Sequence, residues 1–193
     1  MLAFLPVELS PHNRAALLDV ASRTIRGAVT GSAAEVIEPT DPQLTQPAGC
    51  FVSLHERGTH RLRGCIGRMD ASQPLWQAVQ RAAVSVLDDP RFPDERVRPD
   101  EFSKIDLEIS VISPLRDAPS PLAFDLLDDG IYLIVNERSG CFLPQVARET
   151  GWSKEQLLDR LCTEKMGLSP DAWRTSPCTL KTFATLIVGP VPL

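Results

Sequence analysis

Apolar residues follow two spacings along this chain. Leu17, Leu18, Ala21, Ile25 and Ala28 recur at helical intervals, which predicts an amphipathic helix running to about Val29, with Ser10 as N-cap and Pro11 at the first helical position. A second apolar stripe of Leu75, Ala78, Val79, Ala82 and Val86 follows Asp70-Ala71-Ser72 and stops at Asp88-Asp89-Pro90. Between them, residues 31–48 carry three prolines and read as a connection, with a short extended segment at Glu35-Val36-Ile37.

Strict alternation marks the strands. Ile105, Leu107, Ile109 and Val111 occupy one face of a strand and Asp106, Glu108 and Ser110 the other. Residues 49–56 and 60–66 alternate around Arg57-Gly58-Thr59 and predict a hairpin. With Glu56 opposite His60, the pairing puts Cys50, Val52 and Leu54 on a core face with Leu62 and Ile66. Phe51, Ser53 and His55 then stand beside Arg61, Arg63 and Cys65 on the other face.

Further on, the nearly all-apolar residues 130–136 predict a buried strand, paired with 140–143 across Glu137-Arg138-Ser139. Pro144 begins a helical turn that closes at Gly151. The capping box Ser153-Lys154-Glu155-Gln156 opens a helix carrying Leu157, Leu158, Leu161 and Cys162 on its apolar side. A short helix with Trp173 follows, and a β-branched strand over residues 179–188 closes the chain.

Composition narrows the function classes. With 43% hydrophobic and 23% charged residues in 193, the chain is expected to fold throughout, as one substantial domain or two small lobes. A net charge of −5 argues against general nucleic-acid binding, which needs a basic surface. The apolar start, Met1 to Leu5, lacks the basic segment of a secretion signal, and no apolar run approaches bilayer-spanning length, so a soluble, cytoplasmic protein is expected. Five cysteines, odd in number and without a C-x-x-C pair, read as reduced thiols. Cys50, His55, His60 and Cys65 are spaced by five. On strands an odd step sends successive members to opposite faces, so they do not converge on a metal.

The candidate chemistry gathers at Leu62-Arg63-Gly64-Cys65-Ile66-Gly67. A guanidinium beside a thiol favours the thiolate, which is the nucleophilic form, and Gly64 and Gly67 leave room for a close approach by backbone or ligand. Glu108, midway along its strand, is placed to meet Arg63 if the two strands share a sheet. Arg91 is held between Pro90 and Pro93, which limits its directions.

The six-residue stretch around Cys65 resembles the signature of the AMMECR domain family, known in prokaryotes as AmmeMemoRadiSam system protein A. Phe51-Val52-Ser53-Leu54, Asp89-Pro90-Arg91-Phe92, Glu108-Ile109-Ser110-Val111, Leu143-Pro144-Gln145-Val146, Gly151-Trp152 and Asp171-Ala172-Trp173 follow in the family's order. Asp88, where the family often has a basic residue, and Cys50, where a small one is usual, depart from the pattern. The resemblance implies an α+β fold of two interlocked lobes. The larger lobe would hold both chain ends and an antiparallel sheet flanked by helices. The whole would form a single domain over residues 8–192, made of two interleaved subdomains with the functional cleft between them. It also implies association with a Memo-type protein and a radical S-adenosylmethionine enzyme.

Two readings follow. In the first, the protein is an enzyme or enzyme component in which Cys65 is a thiolate nucleophile or covalent carrier. Arg63 lowers its pKa and orients an anionic substrate, and Glu108 or Asp89 transfers protons, while Gly64, Gly67, Asp89, Arg91 and Gln145 bind the ligand. In the second, it is a non-catalytic adaptor that binds a ligand or partner. Neither reading calls for a cofactor or a metal.

Overall fold

The protein is seen here as a computed structural model that describes residues 8–32 and 38–193. Met1 to Leu5 and Glu35-Val36-Ile37, for which the sequence carries expectations, lie outside the described residues. The fold is α+β, with two compact units: Met1–Ile112 with Leu186–Leu193, and Ser113–Thr185. The larger unit thus holds both chain ends.

In the larger unit, helix α1 (Pro11–Thr30) starts where the sequence places it. The Ser10 side chain accepts the Asn13 N–H at 3.2 Å, and Gly31 closes the helix in the left-handed conformation at φ 72°. The connection after α1 contains one helical turn, α2 (Pro42–Thr45), which the sequence reading missed; Asp41 caps it and Leu44 is buried. Strands β1 (Gly49–Glu56), β2 (Leu62–Arg68) and β3 (Ile105–Ile112) form a sheet with the last strand of the chain, β8 (Thr185–Pro192), in the order β2-β1-β3-β8. Both β2 and β3 run antiparallel to β1. Helix α3 (Leu75–Ser85), entered at Pro74, packs on α1 and on the hairpin. Leu17, Ile25, Val79, Val52, Leu54 and Ile109 meet in this unit's core, each at most 1% exposed.

The hairpin departs from the expected register by two residues, and each residue of slip has its own cause. The loop holds four residues, since Glu56 N–H donates to Arg61 O at 2.8 Å and Glu56 O accepts from His60 N–H. A bulge adds the other: Leu54 lies opposite Gly64 but His55 opposite Leu62, leaving Arg63 as the extra residue. A shift of two keeps the faces beyond the bulge, so Val52 opposes Ile66 and Ser53 opposes Cys65. Leu62, expected on the core face, instead pairs with His55. Arg63 has no partner in β1, where Phe51 or Ser53 was expected.

The second unit carries its own sheet, built from β4 (Arg116–Asp117), β5 (Gly130–Val135), β6 (Arg138–Phe142) and β7 (Cys178–Phe183) in the order β4-β7-β5-β6. Asn136 adopts φ 54°, so β5 and β6 turn through Asn136-Glu137, earlier than the expected 137–139. Helices α4 (Pro144–Thr150), α5 (Lys154–Arg160) and α6 (Ala172–Thr175) accompany the sheet. Leu133, Leu158, Leu161 and Cys162 are completely buried in this unit's core. The single closing strand expected over 179–188 is two strands, β7 and β8 (Thr185–Pro192), which belong to different sheets. The break falls at Ala184, whose N–H donates to Ser113 Oγ at 2.9 Å.

Candidate functional site

Strand β2 lies at the edge of its sheet, so the outward N–H and C=O groups of Cys65 need partners. They find them in the segment after α3. Cys65 N–H donates to Asp89 Oδ2 at 2.9 Å, and Arg91 Nη2 donates to Cys65 O at 2.8 Å. The same carboxylate accepts the Arg91 N–H at 3.0 Å and its guanidinium at 2.7 and 3.1 Å. Asp89 is 2% exposed. Burial pushes its pKa up, but the hydrogen bonds from Arg91 and from the Cys65 amide outweigh this and hold it at about 2. The Asp89 and Arg91 side chains, expected as ligand-binding groups, thus grip the peptide of Cys65.

That grip fixes the geometry of the row behind it. Because both backbone groups of Cys65 point away from β1, its pairing with Ser53 is of the non-hydrogen-bonded kind, with Cα atoms about 4.5 Å apart. Ser53 in turn opposes Glu108 of β3. This is the hydrogen-bonded pairing, with Cα atoms about 5.5 Å apart. Thiol, hydroxyl and carboxylate therefore stand in one row across three strands, on the face opposite Cys50, Val52 and Leu54. Ser53 is buried, while Cys65 and Glu108 are half-buried.

Arg63 is placed differently from expectation. Its side chain is only 8% exposed and is surrounded by carboxylates. Glu95 Oε2 lies 3.0 Å from Nε without hydrogen-bond alignment, Nη2 donates to Glu95 O at 2.9 Å, and Glu56 and Glu101 each approach Nη1 at 3.4 Å. Arg61 joins the cluster through Glu56 and Glu95, and its hydrogen bonds are the main reason the Glu56 carboxyl is held at about 2. The charge of Arg63 is thus committed to this cluster, and the guanidinium that bonds to Cys65 is that of Arg91, through the Cys65 carbonyl. Residue type and spacing gave no sign of this, because Glu95 and Glu101 lie more than 30 residues beyond Arg63, Glu95 in a turn segment and Glu101 in the short 3-10 helix before β3.

The two glycines serve packing. A Cβ on Gly64 would stand 2.7 Å from Val86 O, and one on Gly67 would stand 2.6 Å from the Phe51 ring. Gln145 belongs to the second unit, in the first turn of α4, where its Oε1 is buried without a hydrogen-bond donor.

None of the five cysteines is in a disulfide. Burial raises the pKa of Cys50 to about 12 and also raises those of Cys162 and Cys178. Among the described residues, no group of three or more His, Cys, Asp or Glu side chains is placed to hold a metal ion. No helix among them is long and apolar enough to cross a membrane.

Comparison with known proteins places these features in a family. The AMMECR1 family model matches residues 18–188. Protein MK0488 of Methanopyrus kandleri is 35% identical over 153 residues, covering 76% of this chain and 73% of that protein. Protein TV1384 of Thermoplasma volcanium is 28% identical over 186 residues, covering 90% and 91%. The crystal structure of an uncharacterized protein, PH0010 of Pyrococcus horikoshii, superposes with a TM-score of 0.80 at 29% identity, covering 93% of this chain and 96% of that one.

Proposed function

Since this chain belongs to the AMMECR1 family, and the segment that resembles the family's signature lies on the gripped strand β2, we propose that it is an enzyme or enzyme component centred on Cys65. Cys65 acts as a nucleophile or covalent carrier. Its proton passes by way of the Ser53 hydroxyl to the Glu108 carboxylate. Sγ then forms a bond to an electrophilic carbon of the substrate, and the electron pair of the broken bond leaves with the departing group. Arg91, rather than Arg63, supplies the positive charge near the sulfur, and Asp89 orients it without transferring a proton, since its carboxyl stays ionised down to about pH 2. The Memo-type protein and the radical S-adenosylmethionine enzyme that the resemblance implies are proposed as the partners that deliver or receive the carried group.

The observation that carries this reading is the fixed row Cys65, Ser53, Glu108, with the nucleophile's own peptide held at both its N–H and its C=O. A held nucleophile loses little entropy on reaching its reactive geometry. The test is limited iodoacetamide treatment of the native protein at pH 7, read by peptide mass spectrometry. Cys65 is expected to be modified well ahead of Cys50, Cys162 and Cys178, and Glu108→Gln and Arg91→Gln should each slow it several-fold while circular dichroism stays unchanged. Cys65 among the least modified thiols would sink the proposal in favour of an adaptor.

A further inference from the structure

A cavity of the larger unit opens on the opposite face of the sheet from the Cys65 row. It is a groove of about 630 Å³ between the C-terminal half of β2 and α3, within the range typical of small-molecule sites. Arg68 reaches it from the strand and Arg81 from the helix.

These two side chains stand out by their lack of partners. Among the described residues, every other arginine has an ion pair, a hydrogen bond or another side-chain interaction; Arg68 and Arg81 have neither an ion pair nor a side-chain hydrogen bond. The chain has 25 acidic residues against 20 basic ones, so partners were available. Both arginines are exposed. Asp70, also at the groove, is hydrogen-bonded by Ser72 Oγ and ion-pairs with neither.

The rest of the wall is largely apolar. Ile66, Ala78 and Ala82 line it, together with Val84, which at 46% is one of the few large hydrophobic side chains exposed among the described residues. Solvent-facing valine at the mouth of a groove holding two unpaired guanidiniums matches a ligand with an anionic head and a small apolar body.

We propose that this groove is a binding site for a small amphipathic anion, its phosphate or carboxylate head held between Arg68 and Arg81 and its apolar part laid against Ile66, Ala82 and Val84. Two guanidiniums suit a doubly charged phosphomonoester best, because its three terminal oxygens let each form a two-pronged contact with one oxygen shared between them. The neighbouring Asp70 reduces the net positive charge and makes an unattached polyanion such as nucleic acid a poor occupant. The site is independent of the thiol chemistry, since the two lie on opposite faces of one sheet.

The test is titration of the full chain with phenyl phosphate, benzoate, inorganic phosphate and benzyl alcohol, followed by amide chemical shifts. Phenyl phosphate should perturb residues 66–68 and the last two turns of α3 and bind at least tenfold more tightly than inorganic phosphate or benzyl alcohol. Arg68→Gln and Arg81→Gln should each weaken it about fivefold or more, with circular dichroism unchanged, while Cys65→Ser leaves it as it was. Tighter binding of benzoate than of phenyl phosphate would support the site and identify the head as a carboxylate. Equal affinity for inorganic phosphate and phenyl phosphate, no binding by either aromatic anion at millimolar concentration, or binding that survives both arginine substitutions would overturn the proposal.

Discussion

A carboxylate as buried as that of Asp89 is costly unless donors replace its water, and four do: the amide of Cys65, the amide of Arg91 and two guanidinium nitrogens. Its pKa in the folded protein is about 2, against an ordinary value of 3.8. The folded-state pKa is depressed, so the stabilisation is fully present above about pH 5 and is lost as pH falls towards 2. The shift corresponds to about 2 kcal/mol. Asp89→Asn is therefore expected to lower urea-unfolding stability by about 2 kcal/mol at pH 7, and the difference is expected to shrink to about a third of that at pH 2.5. A constant difference across that window would mean that the carboxylate's charge is not what the fold uses. The same substitution should also loosen Cys65, because the amide of Cys65 loses a charged acceptor.

At the scale of elements, the outer edge of β2 is neither paired with a further strand nor left open. The Asp89-Pro90-Arg91 segment completes its ladder at Cys65, and Pro90 limits the directions available to the segment. The strand is pressed against its neighbours at two glycines, one on each face. An added Cβ at Gly64 would meet the carbonyl of Val86, and one at Gly67 would meet the backbone of Cys50 and Phe51 as well as the Phe51 ring. Backbone cannot step aside as a long side chain can. Gly67→Ala is accordingly expected to cost about 1–3 kcal/mol in urea unfolding, the range for overfilled sites. Gly58→Ala is different in kind: nothing lies within 4 Å of its Cβ, and its cost comes only from φ 87°. Amide exchange in β2 should speed up in Gly67→Ala and not in Gly58→Ala.

For the whole molecule, the two units have separate hydrophobic cores, and each core contains a thiol that reports on it. Cys50 is 2% exposed in the first and Cys162 is 0% exposed in the second. Leu158 is completely buried beside Cys162 in the second core. Leu158→Ala should cost about 2–5 kcal/mol, as truncation of a buried leucine does. It should speed the alkylation of Cys162 far more than that of Cys50. Equal acceleration at both thiols would show that the cores open together.

What the sequence determined is local. Helix α1 could be read because its N-cap, its N1 proline and its apolar stripe agree, and β3 because Ile105, Leu107, Ile109 and Val111 alternate with polar residues and are all buried. The faces of the hairpin were legible beyond the bulge for the same reason: a strand has a period of two, and a register slip of two leaves every face in place. Near the loop this protection fails. A single bulged residue moved Leu62 off the core face, and bulge position depends on what the two strands pack against. The assignment of β7 and β8 to different sheets was invisible because both are β-branched, and pattern does not say which sheet will bury them. Only tertiary structure decided the partners of the charged groups. Arg63 lies among Glu56, Glu95 and Glu101, while Asp89 and Arg91 hold the peptide of Cys65, across separations of up to 38 residues that no local rule spans. Charge pairing is set by proximity in space, and proximity in space is a product of the finished fold.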